Sequence, residues 1–167
     1  MAVTVEAIKE LRELTGVGML DCKNALEEAK GDLEKAKQIL RRRGIAVAEK
    51  RAGRETAQGL VEAYIHPDGR LGALVELNCE TDFVARTDDF RNLAHDLAMQ
   101  VAAAEPKYVS PDELPSDSDG DPRDLCLLAQ PFIKDPVRSV QDMINDSIAK
   151  TGENIRVRRF QRFQLGR

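Results

Sequence analysis

Residues Leu60 to Leu77 constrain the fold of this chain more than any other stretch. Val61, Ala63 and Ile65 alternate with Leu60, Glu62, Tyr64 and His66, the two-residue period of a strand. Pro67-Asp68-Gly69-Arg70 supplies turn chemistry, and the apolar run Leu71 to Leu77 returns. An isolated two-stranded hairpin is marginal in water, so it must be completed by other elements. The candidates on both sides carry a helical period, apart from a strand-like run at the C-terminal end, Ile155 to Leu165. Its alternation is imperfect at Arg159-Phe160, a position for a bulge. The expected class is therefore α+β, an antiparallel sheet with helices packed on it.

Residues 1–44 read as a three-helix module. Thr4 caps a first helix with Val5, Ile8, Leu11 and Leu14 on its inner side, ended by Gly16 and Gly18. A second helix, about Met19 to Ala29, places Cys22, Ala25, Leu26 and Ala29 on one face before Lys30-Gly31. Asp32 caps a third, whose stripe is Leu33, Ala36, Ile39 and Leu40 and which Gly44 is expected to close. Residues 45–57 read as a charged linker, helical in propensity, and 58–167 as the α+β core. Within that core, Phe90, Leu93, Ala94, Leu97 and Val101 mark a long helix starting at Asp88 or Asp89. Val140, Met143, Ile144 and Ile148 mark another that begins near Ser139 and ends at Gly152. The Pro-, Ser-, Asp- and Gly-rich segment 105–124 reads as an exposed, partly disordered loop.

Aromatic residues make up 4% of the chain and Trp is absent, so the core must be aliphatic. No run approaches the roughly 18 apolar residues that span a bilayer, and Met1 to Glu6 does not resemble a signal peptide; a cytoplasmic protein is expected. Cys22, Cys79 and Cys126 lack metal spacing and read as reduced, buried thiols; an intersubunit disulfide is left open. Charge is uneven: net +2 over 1–56, −10 over 57–130 and +4 over 131–167. The acidic middle argues against a general nucleic-acid binder.

Few residues suggest covalent chemistry. His66 and His95 have no neighbouring nucleophile, and the acids from Asp112 to Asp121 lack the closing Glu of a calcium loop. No cofactor motif is present. Arg156, Arg158, Arg159 and Arg162 beside Phe160 and Phe163 form either an RNA-facing strand or a set of ion pairs. The corner Thr81-Asp82-Phe83-Val84, between hairpin and long helix, has two readings. Phe83 turns into the core beside a capping acid, or it protrudes toward a partner as an aromatic anchor. Composition leaves both open.

Longer motifs bear on that choice. Leu11-Arg-Glu-Leu-Thr-Gly-Val-Gly-Met-Leu-Asp-Cys-Lys-Asn-Ala-Leu26 and Glu76-Leu-Asn-Cys-Glu-Thr-Asp-Phe-Val-Ala85 resemble the two signatures of the translation elongation factor Ts family. Gln130 to Asp135 and Gly152 to Phe160 are similar as well, in the family's order. The resemblance implies a module of ubiquitin-associated type followed by a core domain. It also implies a guanine-nucleotide exchange factor, not an enzyme, whose partner is elongation factor Tu in GDP-bound and nucleotide-free forms. By motif, Leu11, Arg12, Met19 and Leu20 would touch Tu, Leu20 standing where a second Met is common. Thr81, Asp82, Phe83 and Val84 match the wedge that displaces magnesium from Tu. Long members carry two related core subdomains; short ones resemble half of that core and form homodimers, which is the expectation here, with no cofactor, membrane or direct nucleic-acid partner. The stretch between Leu114 and Leu125 is shorter than the helical insert usual in short members. A non-exchange protein-binding module and an RNA-associated translation protein are the alternatives.

Overall fold

The computed structural model describes residues 3–167. Helix α1 (Val5–Thr15) is capped by Thr4, whose side chain accepts from the Ala7 N–H. It ends at Gly16, held in the left-handed region at φ 68°. Helices α2 (Met19–Glu28) and α3 (Leu33–Arg51) complete the first unit. Ile8, Leu11, Cys22, Ala25, Leu26, Ala29, Ala36, Ile39 and Leu40 form its core. Val5 and Leu14, both expected inside, are each 56% exposed. Three short helices bury one stripe each, and Ile8 and Leu11 fill the place available to α1.

Gly44 does not close the third helix. It lies inside α3, which continues to Arg51. An added Cβ at Gly44 would sit 3.3 Å from the Ala149 Cβ, so the missing side chain permits a close helix crossing. Beyond it, Val47 and Ala48 pack against the larger core. Residues 45–51 of the stretch expected to be a charged linker are thus helix, in keeping with their helical propensity and fixed by packing on the larger core.

The larger core begins with strand β1 (Gln58–Ile65), which pairs antiparallel with β2 (Leu71–Cys79). The last strand, β5 (Ile155–Gln164), adds to the other side of β2, giving the order β1-β2-β5. Register shifts between Glu76 and Leu77, which face Arg159 and Val157, so Arg158 is the bulged residue. Leu60, Tyr64, Ala73, Val75, Leu77, Ile155, Val157 and Phe160 line the inner face. Helix α5 (Asp88–Ala104) covers that face with Phe90, Ala94, Leu97, Ala98 and Val101. Its cap is Thr87, whose Oγ1 accepts from the Phe90 N–H. Helix α7 (Val140–Thr151) packs on α3, α5 and β5, capped by the reciprocal Ser139–Asp142 pair.

Between α5 and α7 lies a two-stranded hairpin, β3 (Pro131–Phe132) with β4 (Asp135–Ser139), that periodicity did not reveal. Buried Gln100 on α5 holds it: its Nε2 donates to the Pro131 carbonyl at 3.2 Å, and its Oε1 accepts from the Ile133 N–H at 2.8 Å. Segment 105–124 is not irregular throughout. It contains a 3-10 turn at Pro111–Glu113 and approaches helix α6 (Pro122–Leu125), and Tyr108 bridges to Cys126. Helix α4 (Asp82–Ala85) forms the corner between β2 and α5. Among the described residues, no helix is long and apolar enough to cross a membrane.

Candidate functional site

The corner is held by hydrogen bonds on one side and by apolar anchors on the other. Strand β2 ends at buried Cys79, and Thr81 then caps α4, its Oγ1 accepting from the Val84 N–H at 3.4 Å. The same hydroxyl donates to Glu153 Oε1 at 2.6 Å, and the Thr81 N–H donates to Glu153 Oε2 at 3.0 Å. Ala85 is buried and Val84 packs against the core from the edge. Those two anchors leave Phe83 on the far side of a four-residue helix, 81% exposed. Asp82 stands beside it and pairs with Arg86 at 2.9 Å. An aromatic ring exposed on a braced corner leaves apolar area in water that a partner could bury.

Cys79 adds a further brace, its thiol donating to the Thr81 carbonyl at 3.1 Å. Burial, followed by the negative charge of Glu153, pushes this thiol up to about 11. Burial also raises Cys22 and Cys126 above the usual thiol range. All three thiols are free and buried. In native protein at neutral pH they should react with a disulfide reagent at least about a hundred-fold more slowly than in guanidinium, because thiolate and access are both scarce. A fast-reacting thiol in the native titration would contradict this.

The second set of expected contacts lies at the α1–α2 junction. Arg12 is exposed, Met19 is 38% exposed and Leu20 is 69% exposed. Gly16, Val17 and Gly18 turn the chain so that the start of α2 presents Met19 and Leu20 outward. Leu11 differs from the other three. It has no exposed surface, so it supports this junction from the core and cannot itself present area to a partner.

Most of the remaining candidates have intramolecular partners. His95 Nδ1 lies 3.1 Å from Glu62 Oε1, and its ring meets the edge of Tyr64 at 5.9 Å. His66 lies 2.9 Å from Asp68 in the hairpin turn. Arg159 and Arg158 reach Glu76 at 2.7 and 3.7 Å, and Arg162 donates to the Ala102 carbonyl at 3.0 Å. Glu76 thus serves both Arg158 and Arg159, Arg162 is also 3.6 Å from Glu105, and Arg156 stays exposed.

Sequence reasoning missed two features. One is Glu153: Gly152 was visible as a helix stop, but nothing local indicated that the next residue reaches 72 positions back to Thr81. The other is the outer face of the sheet. Ile65, Gly72 and Phe163 align across the three strands there, and Ala63, Leu74 and Gln161 form the next row. With Val61 and Leu165 they leave an apolar face that no helix covers, Phe163 being 62% and Ile65 65% exposed. The two-residue alternation was legible, but not which side would stay open.

Comparison with known proteins is consistent along the chain. The family model described as Elongation factor TS matches residues 23–119. Elongation factor Ts of Carboxydothermus hydrogenoformans is 50% identical over 98% of this chain and 89% of its own length. The proteins of that name from Acetivibrio thermocellus and Thermotoga sp. are 49% and 47% identical, covering 98% and 99% of this chain and 90% and 98% of their own. The first alignment spans 194 positions against a chain of 167 residues, so at least 27 positions of that relative have no counterpart here.

Proposed function

The chain belongs to the elongation factor Ts family, and from that premise we propose that it is a guanine-nucleotide exchange factor for elongation factor Tu. The observation that carries the reading is Phe83, an aromatic side chain 81% exposed on a corner whose backbone is held by hydrogen bonds. Thr81, Asp82, Phe83 and Val84 act as the wedge. Phe83 enters the nucleotide-binding domain of Tu and shifts its packed helices between discrete arrangements. The Mg²⁺ that Tu would hold against the GDP phosphates requires near-ideal octahedral geometry, so a small shift of the helices would weaken its binding. GDP is then retained by fewer charge contacts and leaves. Asp82, paired with Arg86, shapes the corner and is not assigned a metal.

The linkage is reciprocal. This protein lowers the affinity of Tu for GDP by the factor by which GDP lowers the affinity of Tu for it. Loading with GTP then follows from the concentrations of the two nucleotides, without covalent chemistry.

Residues 1–44 supply the second contact, through Arg12, Met19 and Leu20, with Leu11 beneath them. These side chains add binding energy common to the ground and exchanging states. Arg12→Ala and Leu20→Ala should therefore each raise the concentration for half-maximal exchange about ten-fold and leave the maximal rate within about two-fold. A fall in maximal rate with unchanged half-saturation would reverse these roles. The third element of the proposal is a two-fold homodimer formed through the open apolar face of the sheet, final strand included.

The decisive experiment is stopped-flow release of a fluorescent GDP analogue from Tu, over a range of concentrations of this protein. Concentration-dependent acceleration to a plateau is expected. Release at the intrinsic rate of Tu at every concentration would exclude an exchange role and leave a simple binding module.

A further inference from the structure

The turn Gly152-Glu153-Asn154 joins α7 to β5, yet its polar groups point elsewhere. Gly152 ends α7 at φ 72°, its N–H bonded to the Ile148 carbonyl at 2.8 Å. The next two residues then grip both sides of the corner. Glu153 takes the backbone N–H and the hydroxyl of Thr81 with its two carboxylate oxygens. The Asn154 N–H donates to Glu80 Oε1 at 2.6 Å. Buried Asn154 also extends Nδ2 to the carbonyls of Arg54, at 2.9 Å, and Ala52, at 3.4 Å.

Glu80 closes the ring. Its carboxylate lies 3.3 Å from Arg54 Nη1 and 3.9 Å from Arg51 Nη1, and the Asn154 donor, then Arg54, hold it below the usual carboxylate range. Three segments distant in sequence therefore meet at one clasp: the end of α3, the corner and the α7–β5 turn. Thr81 has each of its polar groups engaged, by Glu153, Val84 and Cys79. Phe83, two residues on, has no comparable tether. Its direction in space is set by the backbone that Thr81 begins.

We propose that Glu153 is a positioning residue for Phe83, and that Asn154 and Glu80 lock the wedge to the end of α3. This rests on the reading of Phe83 as the residue that enters Tu. Helix α3 packs on α2, which carries Leu20, and its end runs into the clasp, so α3 links the N-terminal core to the segment that holds the wedge. Pre-set geometry of this kind lowers the barrier to exchange by removing a search over corner conformations. The carboxylate is suited to the task because two charge-assisted bonds to one residue fix both its position and its rotation.

The test is a cycle of four proteins: the unaltered chain, Glu153→Ala, Phe83→Ala and the double variant. Each is measured by release of the fluorescent GDP analogue and by amide hydrogen exchange. Glu153→Ala should lower the plateau rate about ten-fold with half-saturation changed by less than about three-fold. The amides of Val84 to Arg86 should exchange at least about ten-fold faster, with those in the middle of α5 unchanged. The double variant should be no slower than Phe83→Ala alone, because both losses pass through one ring. Glu153→Gln, which keeps one acceptor oxygen, should fall between and serves as the test if the alanine variant does not fold. A slow Phe83→Ala beside a Glu153→Ala protein at the unaltered plateau would overturn the positioning role and leave the wedge standing. So would unchanged corner amides, or losses that multiply in the double variant. A Phe83→Ala protein at the unaltered rate would instead remove the wedge reading, and this proposal with it.

Discussion

Phe83→Ala should lower the plateau rate of GDP release from elongation factor Tu by about thirty-fold or more, the loss expected for an aromatic anchor contributing about 2 kcal/mol. The same change should leave the thermal midpoint within about 2 °C, because exposed substitutions rarely exceed about half a kcal/mol. The structural basis for separating the two effects is the exposure of the ring. Phe83 is 81% exposed and lies outside both buried clusters, whereas Val84 and Ala85 on the same short helix pack on the core. Truncation therefore creates no cavity in the folded protein, and Thr81 keeps its cap and its bonds to Glu153. On the proposed roles, the effect should fall on the plateau rather than on half-saturation, since a wedge would act as Tu rearranges and the contacts of Arg12, Met19 and Leu20 would be kept. Stopped-flow release and a thermal melt on the same preparation decide the matter. A well-folded variant with the unaltered plateau would end the wedge assignment.

Phe163→Asp should convert the proposed two-fold dimer into a monomer of 18.6 kDa. Phe163 faces Gly72 across β5 and β2, and Ile65 continues the row on β1. The Ile65 side chain folds over Gly72, where an added Cβ would sit 2.6 Å from its Cδ1, and Leu74, 42% exposed, lies in the next row of the same face. A two-fold dimer would bring this one face against its own copy. Placing a carboxylate at its centre removes aromatic area and leaves an unpaired charge away from water. A penalty of about 3 kcal/mol per interface contact corresponds to a dissociation constant weakened by roughly two orders of magnitude, and the two-fold axis applies it twice. The folded monomer should tolerate the change, because the ring is 62% exposed. Sedimentation equilibrium over a range of concentrations reads the result. An unaltered chain that sediments at 18.6 kDa, or a variant that stays dimeric, would place the interface elsewhere or remove it.

Most of the elements were legible because their apolar residues repeat at one clear period. Helix α5 carries Phe90, Ala94, Leu97 and Val101 on one face, and all four are fully buried. The hairpin needed only its alternation and Pro67-Asp68-Gly69. The failures share a physical cause. Beyond Gly44, α3 carries Glu49, Lys50 and Arg51, whose helical propensity is legible, but the contact with α7 that fixes the stretch in the fold is not. Hairpin β3–β4 has too few residues for a period, and buried Gln100 on another element holds it. Leu14 fits its stripe by spacing but stands beyond the edge of a small core.

The candidate site divides along the same line. The order and chemistry of Thr81-Asp82-Phe83-Val84, and the exposed pair Met19-Leu20, are properties of short contiguous segments, and the family to which the chain belongs follows from those segments. Local residues also determine where the chain turns, because Thr81, Thr87 and Gly16 act within a few positions of themselves. Only the tertiary structure decided that Phe83 points outward, that Leu11 is core, and that one face of the sheet stays open. It alone brought Glu153 to Thr81 and Asn154 to the end of α3. Those outcomes depend on contacts between residues 72 to 100 positions apart, and a linear pattern carries no record of which distant donor meets which acceptor.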